Sequence, residues 1–344
     1  MQQIWIPRSG PPDVLDLREA PDPTPGPGHV LIEVEAAGIN FADILARQGL
    51  YPDAPDLPAV VGYEVAGTVG AVGEGVTSVS AGDRVVALTR FGGYSSHVVV
   101  PEIAVYPRPE GMMAETAASI PVNYLTAFQM MIVMGSLRHA RELGGERVRV
   151  LVHGASGGVG TACADLGTIY GAELFGTASP AKHEYVRQRG YHHAIDYRTG
   201  DFVEAVRQLT DGEGVDLVLD PIGGKHWARS LEVLRPSGRV VVYGISSVAG
   251  SGKLGLLKMV AQIPWRRMSP ISLISKNHGV LGVNVGHLWH VPHLVAGWMR
   301  VLLSYAERGD IRPYVDRVFP LAEAAEAHRY IEERKNRGKV LLRP

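Results

Sequence analysis

Short apolar runs alternate with helical stretches through the middle of the chain, between about residues 126 and 281. Short apolar runs of this kind, bounded by turn residues, are typical of the buried strands of a parallel sheet. Strands that are joined by helical crossovers lie side by side in a doubly wound sheet. The pattern therefore predicts an α/β fold with a six-stranded parallel sheet. The predicted strands are residues 148–152, 174–177, 194–196, 215–219, 239–242 and 280–283.

The N-terminal part of the chain has a different pattern of short strands with frequent glycine, which predicts a compact, barrel-like β domain. Two further runs near the C-terminus flank an amphipathic helix and are expected to return to this domain. The predicted strands of this domain are residues 30–36, 65–73, 83–88, 315–319 and 340–342, and the predicted helix is 321–333.

A chain of 344 residues is long enough for two domains with sizeable cores. We expect residues 1–123 and 310–344 to form the β-rich domain and residues 124–309 to form the α/β domain.

A glycine-rich turn follows the first strand of the α/β domain. The residues after His153 read Gly-Ala-Ser-Gly-Gly-Val-Gly, and a helical stretch follows from Thr161. Side chains in such a turn would block the approach of a pyrophosphate, and the helix N-terminus offers N–H groups and a positive dipole end to that anion. Ala155 replaces the usual middle glycine, but the strand before the turn and the helix after it support a dinucleotide-binding Rossmann domain. The predicted contacts are Ser156, Gly157, Gly158, Val159 and Gly160.

The end of the second strand of this domain predicts which nicotinamide cofactor binds. An acidic residue there would accept a hydrogen bond from a free ribose hydroxyl. The run 173–179 ends without one, and Ser179, Lys182 and Tyr197 can instead hydrogen-bond a phosphate. This favours NADPH. The alternative is that Ser179 caps the helix opening at Pro180 and that Lys182 is a solvated helix residue.

Composition narrows the functional classes further. The formal net charge is −1 and the basic residues are scattered, so nothing indicates a nucleic-acid partner. The N-terminus carries no signal-like segment, and no apolar run approaches the roughly 20 residues that span a bilayer. We therefore expect a cytoplasmic protein without an integral membrane segment.

The single cysteine, Cys163, excludes an intramolecular disulfide and a four-cysteine zinc site. It follows the glycine turn on a helix, where packing against the sheet is its expected role. The histidine pairs His192–His193 and His287–His290 lack plausible third and fourth ligands nearby, so no metal site is predicted.

One segment, residues 249–275, is apolar and basic and is interrupted by proline. It contains Trp265, Arg266 and Arg267 in one short stretch. A substrate lid or a subunit contact is the favoured interpretation, and peripheral contact with a membrane surface is the alternative.

Several motifs resemble the medium-chain dehydrogenase/reductase superfamily over nearly the whole chain. They are G-I-N-F-A-D at 38–43, G-Y-E-V-A-G-T-V at 62–69 and N-Y-L-T-A-F at 123–128. Zinc alcohol dehydrogenases of that superfamily carry a cysteine near Asn40 and a histidine where Tyr63 stands, so this chain departs from them at both positions. It resembles the zinc-free quinone oxidoreductase branch. The segments 176–184, 215–224 and 337–342 are most similar to the vesicle amine transport protein homologues.

The resemblance implies a GroES-like catalytic domain, NADPH in the cleft between the domains, and a homodimer formed by joining sheet edges. Asn40 and Tyr51 match positions that face the nicotinamide and the substrate. The resemblance assigns further cofactor contacts to Thr126, Gly244, Ile245, Val283, Asn284 and Lys339.

Hydride transfer without a metal needs hydrogen-bond donors for the negative charge that grows on the acceptor oxygen. Tyr51 is the predicted donor, and Asn40 is predicted to orient the nicotinamide amide or the substrate carbonyl. The alternative makes Tyr51 a turn aromatic before Pro52 and lets Asn40 end a strand by bonding its own backbone. Asp43 is predicted to cap the following helix rather than to act as an acid.

Three functions remain open at this point. The leading one is an NADPH-dependent reductase of quinones or α,β-unsaturated carbonyls, which are small molecules. The second is a catalytically weak nucleotide-binding protein that contacts membranes or partners. The third is an enoyl thioester reductase.

Overall fold

The computed structural model describes the backbone of residues 1–344 and every side chain except those of residues 140 and 141. The chain forms two compact units, Met1–Leu125 with Val285–Pro344 and Thr126–Asn284. We call them the β unit and the α/β unit. The sequence-based division differs from this one for residues 124–125 and 285–309.

The regular elements of the chain up to residue 128 are mainly strands, as its glycine-rich pattern predicts. The strands are β1 (Gln2–Trp5), β2 (Asp16–Glu19), β3 (His29–Gly38), β4 (Glu64–Val72), β5 (Arg84–Leu88), β6 (His97–Pro101) and β7 (Val105–Pro107). The helices are α1 (Phe41–Arg47), α2 (Ala114–Ala118) and α3 (Pro121–Phe128). The strands predicted at 30–36, 65–73 and 83–88 correspond to β3, β4 and β5.

The α/β unit alternates strands and helices. Its strands are β8 (Arg149–His153), β9 (Glu173–Ala178), β10 (His193–Asp196), β11 (Val215–Asp220), β12 (Leu234–Val242) and β13 (Gly279–Gly282). Its helices are α4 (Gly158–Tyr170), α5 (His183–Gln188), α6 (Phe202–Leu209), α7 (Lys225–Leu231), α8 (Gly252–Ala261) and α9 (Pro270–Lys276). The segment 249–275 therefore contains two helices.

The six strands form one parallel sheet in the order β10-β9-β8-β11-β12-β13. This is the doubly wound Rossmann order, and it confirms the predicted fold class. Val150, Leu151 and Val152 of β8 are fully buried, since the strand lies at the centre of the sheet. The chain order reverses direction between β8 and β11, and ligands bind at the carboxyl ends of strands at such a switch point.

The C-terminal part adds α10 (Pro292–Glu307), β14 (Val315–Pro320), α11 (Ala324–Glu332) and β15 (Lys339–Arg343). β15 pairs antiparallel with β3, with Leu341 opposite Gly38, and parallel with β14. The sheet runs β14-β15-β3-β4-β5-β7, and β6 also pairs with β3. The predicted return of the chain to the first domain is confirmed. α10 packs against residues 102–104 of the β unit, which explains why 285–309 lie there.

Cys163 is fully buried on α4, as its predicted packing role requires. The sequence analysis found no apolar run long enough to span a bilayer, but the structure contains one such helical stretch, Ala114–Met134. Its 21 residues are long and apolar enough to cross a membrane by length and composition, but 72% of its most apolar window is buried. That burial is typical of a core helix, so the stretch is weak evidence for a membrane span.

Candidate functional site

The glycine turn between β8 and α4 has the geometry of an anion cradle. A Cβ placed on Gly160 would lie 2.5 Å from the Ala155 carbonyl oxygen, so the turn packs against the helix only with glycine there. On Gly157 a Cβ would meet only the Gly154 carbonyl oxygen, at 3.5 Å. Gly154 itself has a φ of +73°, which favours glycine. The backbone around Gly157 is therefore open to a ligand.

Helix α4 begins at Gly158, with Gly157 at its N-cap position. A glycine at this position supplies no side chain that could cap the helix. The N–H groups of a first helical turn need partners from outside the helix, and the macrodipole favours an anion there. The residues present therefore fit a dinucleotide pyrophosphate, with Ser156 buried beside the turn.

The residues predicted to select the cofactor lie at one edge of the sheet. Ser179 follows β9 and Tyr197 follows β10, and the preceding residues Ala178 and Asp196 are partners in register. Ser179 is buried and Tyr197 is exposed. The Asp196 carboxylate accepts hydrogen bonds from Arg198 N and the Thr199 hydroxyl, so it serves its own turn.

Ser179 occupies the N-cap position of the 3₁₀ turn Pro180–Lys182. Its hydroxyl makes no capping bond to any residue that the structure describes. The Lys182 N–H donates to the Ser179 carbonyl oxygen at 2.8 Å. Ser179 is therefore the N-cap of this turn by its position and its backbone, and its side chain makes no capping bond there.

The remaining predicted cofactor segments follow β12 and β13. A Cβ on Gly244 would lie 3.0 Å from the Pro221 carbonyl oxygen, so this loop lies close to the one after β11. Val283 is buried and donates its N–H to Val242. Gly244, Ile245, Val283 and Asn284 thus lie at the carboxyl edge of the sheet, and Thr126 is half-buried on α3.

A hydrogen-bonded cluster that the sequence analysis missed also lies at this edge. His153 ends β8 and Asp220 ends β11. The Asp220 Oδ2 atom lies 2.7 Å from His226 Nδ1 and accepts a hydrogen bond from the Ser230 hydroxyl at 2.7 Å. The Ile222 N–H donates to Asp220 Oδ1 at 2.8 Å. This network holds the loop after β11, since one carboxylate bonds the loop and α7 together.

Burial governs the charge of this cluster. It lowers the pKa of His153 to about 3, so that this ring is neutral near pH 7. Burial alone would raise the pKa of Asp220, but bonds from His226 and Ser230 and the nearby histidines lower it. Asp220 is therefore a buried carboxylate whose charge is balanced by hydrogen bonds.

Among the residues that the structure describes, His153, Asp220 and His226 have potential ligand atoms within 4.8 Å of one another. The prediction that the chain has no metal site was based on histidine pairs that are close in sequence, so it did not include this cluster. We assign no ion here, because these atoms already have hydrogen-bond partners. Asp220 bonds His226, and the Ser230 hydroxyl lies within hydrogen-bond distance of both Asp220 and His153. The sequence does contain a signal for this cluster, because a polar residue ends each of two apolar strands, His153 in β8 and Asp220 in β11.

In the β unit, Asn40, Glu64 and Lys339 form a buried cluster. The Lys339 ammonium donates to Asn40 Oδ1 at 2.7 Å and to the Glu64 carboxylate. Asn40 Nδ2 donates to Glu64 Oε1 at 3.0 Å, and Glu64 Oε2 accepts the Val122 N–H at 2.7 Å. The residues come from the end of β3, the start of β4 and the start of β15, whose pairing brings them together. Glu64 was not singled out from the sequence.

Asn40 and Asp43 share the cap of α1. Asn40 is the N-cap residue, and its N–H donates to Asp43 Oδ2 at 2.7 Å. Asp43 is the third residue of the helix rather than its N-cap, so it supplies the returning bond of a capping box. Asp43 Oδ1 also accepts the Gly62 N–H at 3.0 Å. Burial raises the pKa of Asp43 to about 7. The Asn40 side chain bonds mainly Glu64 and Lys339, and its bond to the Gly38 carbonyl is long at 3.5 Å.

Tyr51 lies in an aromatic group with Tyr63 and Phe91. Its ring contacts that of Tyr63 edge-on with centroids 6.2 Å apart, and Tyr63 lies 5.5 Å from Phe91. Burial raises the pKa of Tyr63, so its hydroxyl stays protonated. That hydroxyl is buried and meets no partner of normal hydrogen-bond geometry among the described side chains.

The fold and these groups define a class, the oxidoreductases that pair a Rossmann domain with a GroES-like domain. Two family models match the chain: the alcohol dehydrogenase GroES-like domain over residues 26–115 and the zinc-binding dehydrogenase over residues 189–342. The human synaptic vesicle membrane protein VAT-1 homologue is 40% identical over 333 residues, covering 96% of this chain and 82% of that protein. The quinone oxidoreductase of Pseudomonas aeruginosa is 35% identical over 347 residues, covering 100% of this chain and 99% of that protein.

A solved structure agrees with these relatives. The Escherichia coli quinone oxidoreductase complexed with NADPH has a TM-score of 0.86 and 30% identity, with 100% of both chains covered. The chain therefore belongs to the medium-chain dehydrogenase/reductase superfamily, near the VAT-1 homologues and the quinone oxidoreductases.

Proposed function

We propose that this chain is a zinc-independent, NADPH-dependent reductase of quinones or α,β-unsaturated carbonyls. The observation that carries the proposal is the donor set of the β unit. Zinc in proteins is held by thiolate, imidazole and carboxylate groups. Asn40 offers an amide and Tyr63 a buried phenol, and the Glu64 carboxylate is already bonded by Lys339. These residues do not fit a catalytic zinc site, although one matching family model is named for zinc.

The cofactor assignment rests on the α/β unit. The glycine turn and the N-terminus of α4 fit a pyrophosphate, and β9 ends in Ser179 without an acid. Ser179, Lys182 and Tyr197 are assigned to the 2′-phosphate of NADPH, the nucleotide in the related E. coli structure. When bound, NADPH would supply the hydride from its nicotinamide.

The β unit would stabilise the substrate oxygen. Reduction of an enone or a quinone leaves negative charge on that oxygen, and a fixed hydrogen-bond donor lowers the barrier for forming it. We assign this donation to the Tyr51 hydroxyl, whose ring is held against Tyr63. Lys339 and Glu64 fix the Asn40 amide in one orientation, which suits it to position a carbonyl or amide group.

The test measures cofactor binding and turnover separately. Addition of the protein should quench and blue-shift NADPH fluorescence, and NADPH should be oxidised by a quinone or an enone in the presence of a chelator. Tyr51→Phe should lower kcat by a factor of about 100 or more, as expected for loss of a positioned proton donor. Tyr305→Phe, a change on α10 outside the site, is the matched control and should leave kcat unchanged.

Three results would overturn this proposal. Loss of turnover on addition of chelator would show that a metal is needed. NADPH binding without turnover on any quinone, enone or enoyl thioester would favour a catalytically weak nucleotide-binding protein. Faster turnover of enoyl thioesters than of free quinones would instead assign the chain to thioester reduction.

A homodimer and a cytoplasmic location are further parts of the proposal. β13 is the last strand in the sheet order, and it pairs with β12. A second copy can extend the sheet there by the hydrogen-bonding pattern that any strand edge offers. Light scattering after size-exclusion chromatography tests the dimer.

A further inference from the structure

The Tyr63 hydroxyl is a buried polar group to which the proposed function gives no role. Only 8% of Tyr63 is exposed, and its hydroxyl has no hydrogen-bond partner of normal geometry among the residues that the structure describes. A buried hydroxyl without a partner destabilises a folded protein, because it has lost its hydrogen bonds to water. Phenylalanine would fill the same space without that cost. The hydroxyl is therefore extra to the packing of the β unit.

The backbone beside Tyr63 holds its ring in place. The Thr89 N–H donates to the Tyr63 carbonyl oxygen at 2.8 Å, and the Thr89 hydroxyl donates to the Gly62 carbonyl oxygen at 2.6 Å. Gly62 has a φ of +105°, and a Cβ there would lie 2.7 Å from the backbone nitrogen of Tyr94. The Tyr63 ring packs edge-on against that of Tyr51, with an angle of 79° between the ring planes. The direction of the hydroxyl is thus fixed by the fold.

The groups around the Tyr63 hydroxyl leave one neighbour to which it can donate. Burial is the largest cause of the raised Tyr63 pKa, and three neighbours raise it further: Asp43, Tyr51 and Asp53. The Asp43 carboxyl already accepts two backbone N–H groups, at 2.7 and 3.0 Å, and Asp53 Oδ2 lies 2.9 Å from His287 Nε2. Tyr51 raises the Tyr63 pKa by hydrogen bonding as well as by charge. The Tyr51 oxygen is therefore the expected acceptor.

We propose that Tyr63 is a positioning residue that donates a hydrogen bond to the Tyr51 oxygen during reduction of the substrate. The inference rests on the proposed function, in which the Tyr51 hydroxyl donates to the substrate oxygen. Tyr63 itself does not touch the substrate. It acts through Tyr51, whose oxygen becomes negatively charged when its proton leaves.

The proton and the charge balance in this step. Hydride transfer oxidises NADPH to NADP⁺ and leaves an electron pair and negative charge on the substrate oxygen. The O–H bond of Tyr51 breaks, and its proton forms the new O–H bond of the enol or quinol. The negative charge moves to the Tyr51 oxygen, where the Tyr63 hydroxyl stabilises it. A proton from water then restores Tyr51.

The lack of a normal hydrogen bond at Tyr63 in the structure agrees with this role. Catalytic hydrogen bonds are often long before the substrate binds and shorten as the reaction proceeds. A hydrogen bond to a charged oxygen is also about twice as strong as one between neutral groups. A bond that strengthens only as charge develops lowers the barrier and leaves substrate binding unchanged. Loss of the Tyr63 hydroxyl should therefore change kcat rather than KM.

Tyr63→Phe tests the inference, because it removes the hydroxyl and keeps the ring. With a quinone as substrate, kcat should fall about tenfold while KM stays within about twofold. The alkaline limb of the kcat–pH profile should move to higher pH by about one unit, since the charged Tyr51 oxygen loses its donor. The other titratable groups near the pair are unchanged in this variant: Asp43, Asp53, Tyr94 and His287. Urea unfolding should show a stability that is unchanged or higher, because the lost hydroxyl had no partner.

Tyr330→Phe is the matched control. The Tyr330 hydroxyl of α11 donates to Asp316 Oδ2 at 2.9 Å, so its removal should lower stability and leave kcat and the alkaline limb unchanged. The double variant Tyr51→Phe/Tyr63→Phe should lose no more activity than Tyr51→Phe alone, because Tyr63 acts through Tyr51.

The outcomes separate this inference from the proposed function. An unmoved alkaline limb in Tyr63→Phe, a loss of stability in that variant, or additive losses in the double variant would overturn the role of Tyr63 and leave the reductase proposal standing. An unchanged kcat in Tyr51→Phe, or no turnover by the unchanged protein, would overturn the proposed function and this inference together.

Discussion

The two units assemble their candidate sites in opposite ways. In the α/β unit the anion cradle is built by consecutive residues 154–160, and its shape follows from glycine at a few of them. In the β unit, Lys339 and Asn40 are 299 residues apart in sequence and meet only because β15 pairs with β3. The first site therefore depends on local steric fit, whereas the second depends on strand register and on the balance of buried charge.

The largest effect is expected at the remote cluster. Lys339→Met leaves the Glu64 carboxylate buried without its cation, and removal of one partner of a buried ion pair typically costs about 3–5 kcal/mol. Urea unfolding should show this loss. Lys335→Met removes a cation from an exposed pair with Glu333 and should cost about 1 kcal/mol or less.

A double variant sharpens this prediction. Glu64→Gln/Lys339→Met removes both charges, so it should be more stable than Lys339→Met alone. A cost at Lys339 no larger than at Lys335 would contradict the dependence of the β unit on buried charge.

The local site should respond to steric change. Gly160→Ala places a Cβ within 2.5 Å of a backbone oxygen, and overpacking of this kind costs about 1–3 kcal/mol. NADPH binding should weaken as well, since the turn must shift. Gly297→Ala on α10 is the control: its Cβ would meet nothing within 4 Å, and alanine favours a helix by up to about 1 kcal/mol. An equal loss of stability in Gly160→Ala and Gly297→Ala would contradict the dependence of the turn on steric fit.

Acidity should affect the two units differently. Asp43 in the β unit has a folded pKa of about 7 against 3.8 when unfolded, so its contribution to stability is present below pH 3.8 and is lost as the pH rises to about 7. His328 lies on α11 in the same unit, and burial lowers its folded pKa to about 3 against 6.5 when unfolded, so its contribution is lost as the pH falls below 6.5. These two effects oppose each other. In the α/β unit, burial lowers the pKa of His153 in the same direction as that of His328, so its contribution to stability is also lost in acid.

Asp43→Asn tests this opposition. Without the proton taken up by Asp43, stability should fall more steeply between pH 6.5 and 4, by about 1.4 kcal/mol per pH unit more than in the unchanged protein. Unfolding midpoints across that range measure the slope. An unchanged slope would mean that Asp43 is ionised in the folded protein.

The smallest effect is expected in cofactor preference. Ser179→Asp places a carboxylate at the end of β9, where we assign the 2′-phosphate, and like charges disfavour NADPH. The ratio of the KM values for NADPH and NADH should rise about fivefold, or about 1 kcal/mol. Glu184→Gln, on the exposed side of α5, should leave the ratio unchanged. A fall in this ratio of KM values would show that the 2′-phosphate of NADPH does not bind beside Ser179.

Most of the fold was predicted from patterns among residues that are close together in the sequence. The six strands of the parallel sheet, the helix after the glycine turn, the burial of Cys163 and the return of the C-terminal strands are confirmed. The cluster of His153, Asp220 and His226 was missed, since His153 belongs to a different βα segment from the other two and meets them through the sheet order. The position of residues 285–309 was also missed, because an amphipathic helix does not reveal which sheet covers its apolar side.

The sequence by itself determined where apolar runs form strands and where glycine permits a tight turn. Both properties arise from interactions among residues close in the chain. Only the tertiary structure decided that Lys339 bonds Asn40 and Glu64, that Asp43 is buried between two backbone donors, and that the outward side of α8 and α9 is apolar. Periodicity shows that a helix has an apolar side, but burial depends on the elements that pack against it, and strand pairing brings distant charges together.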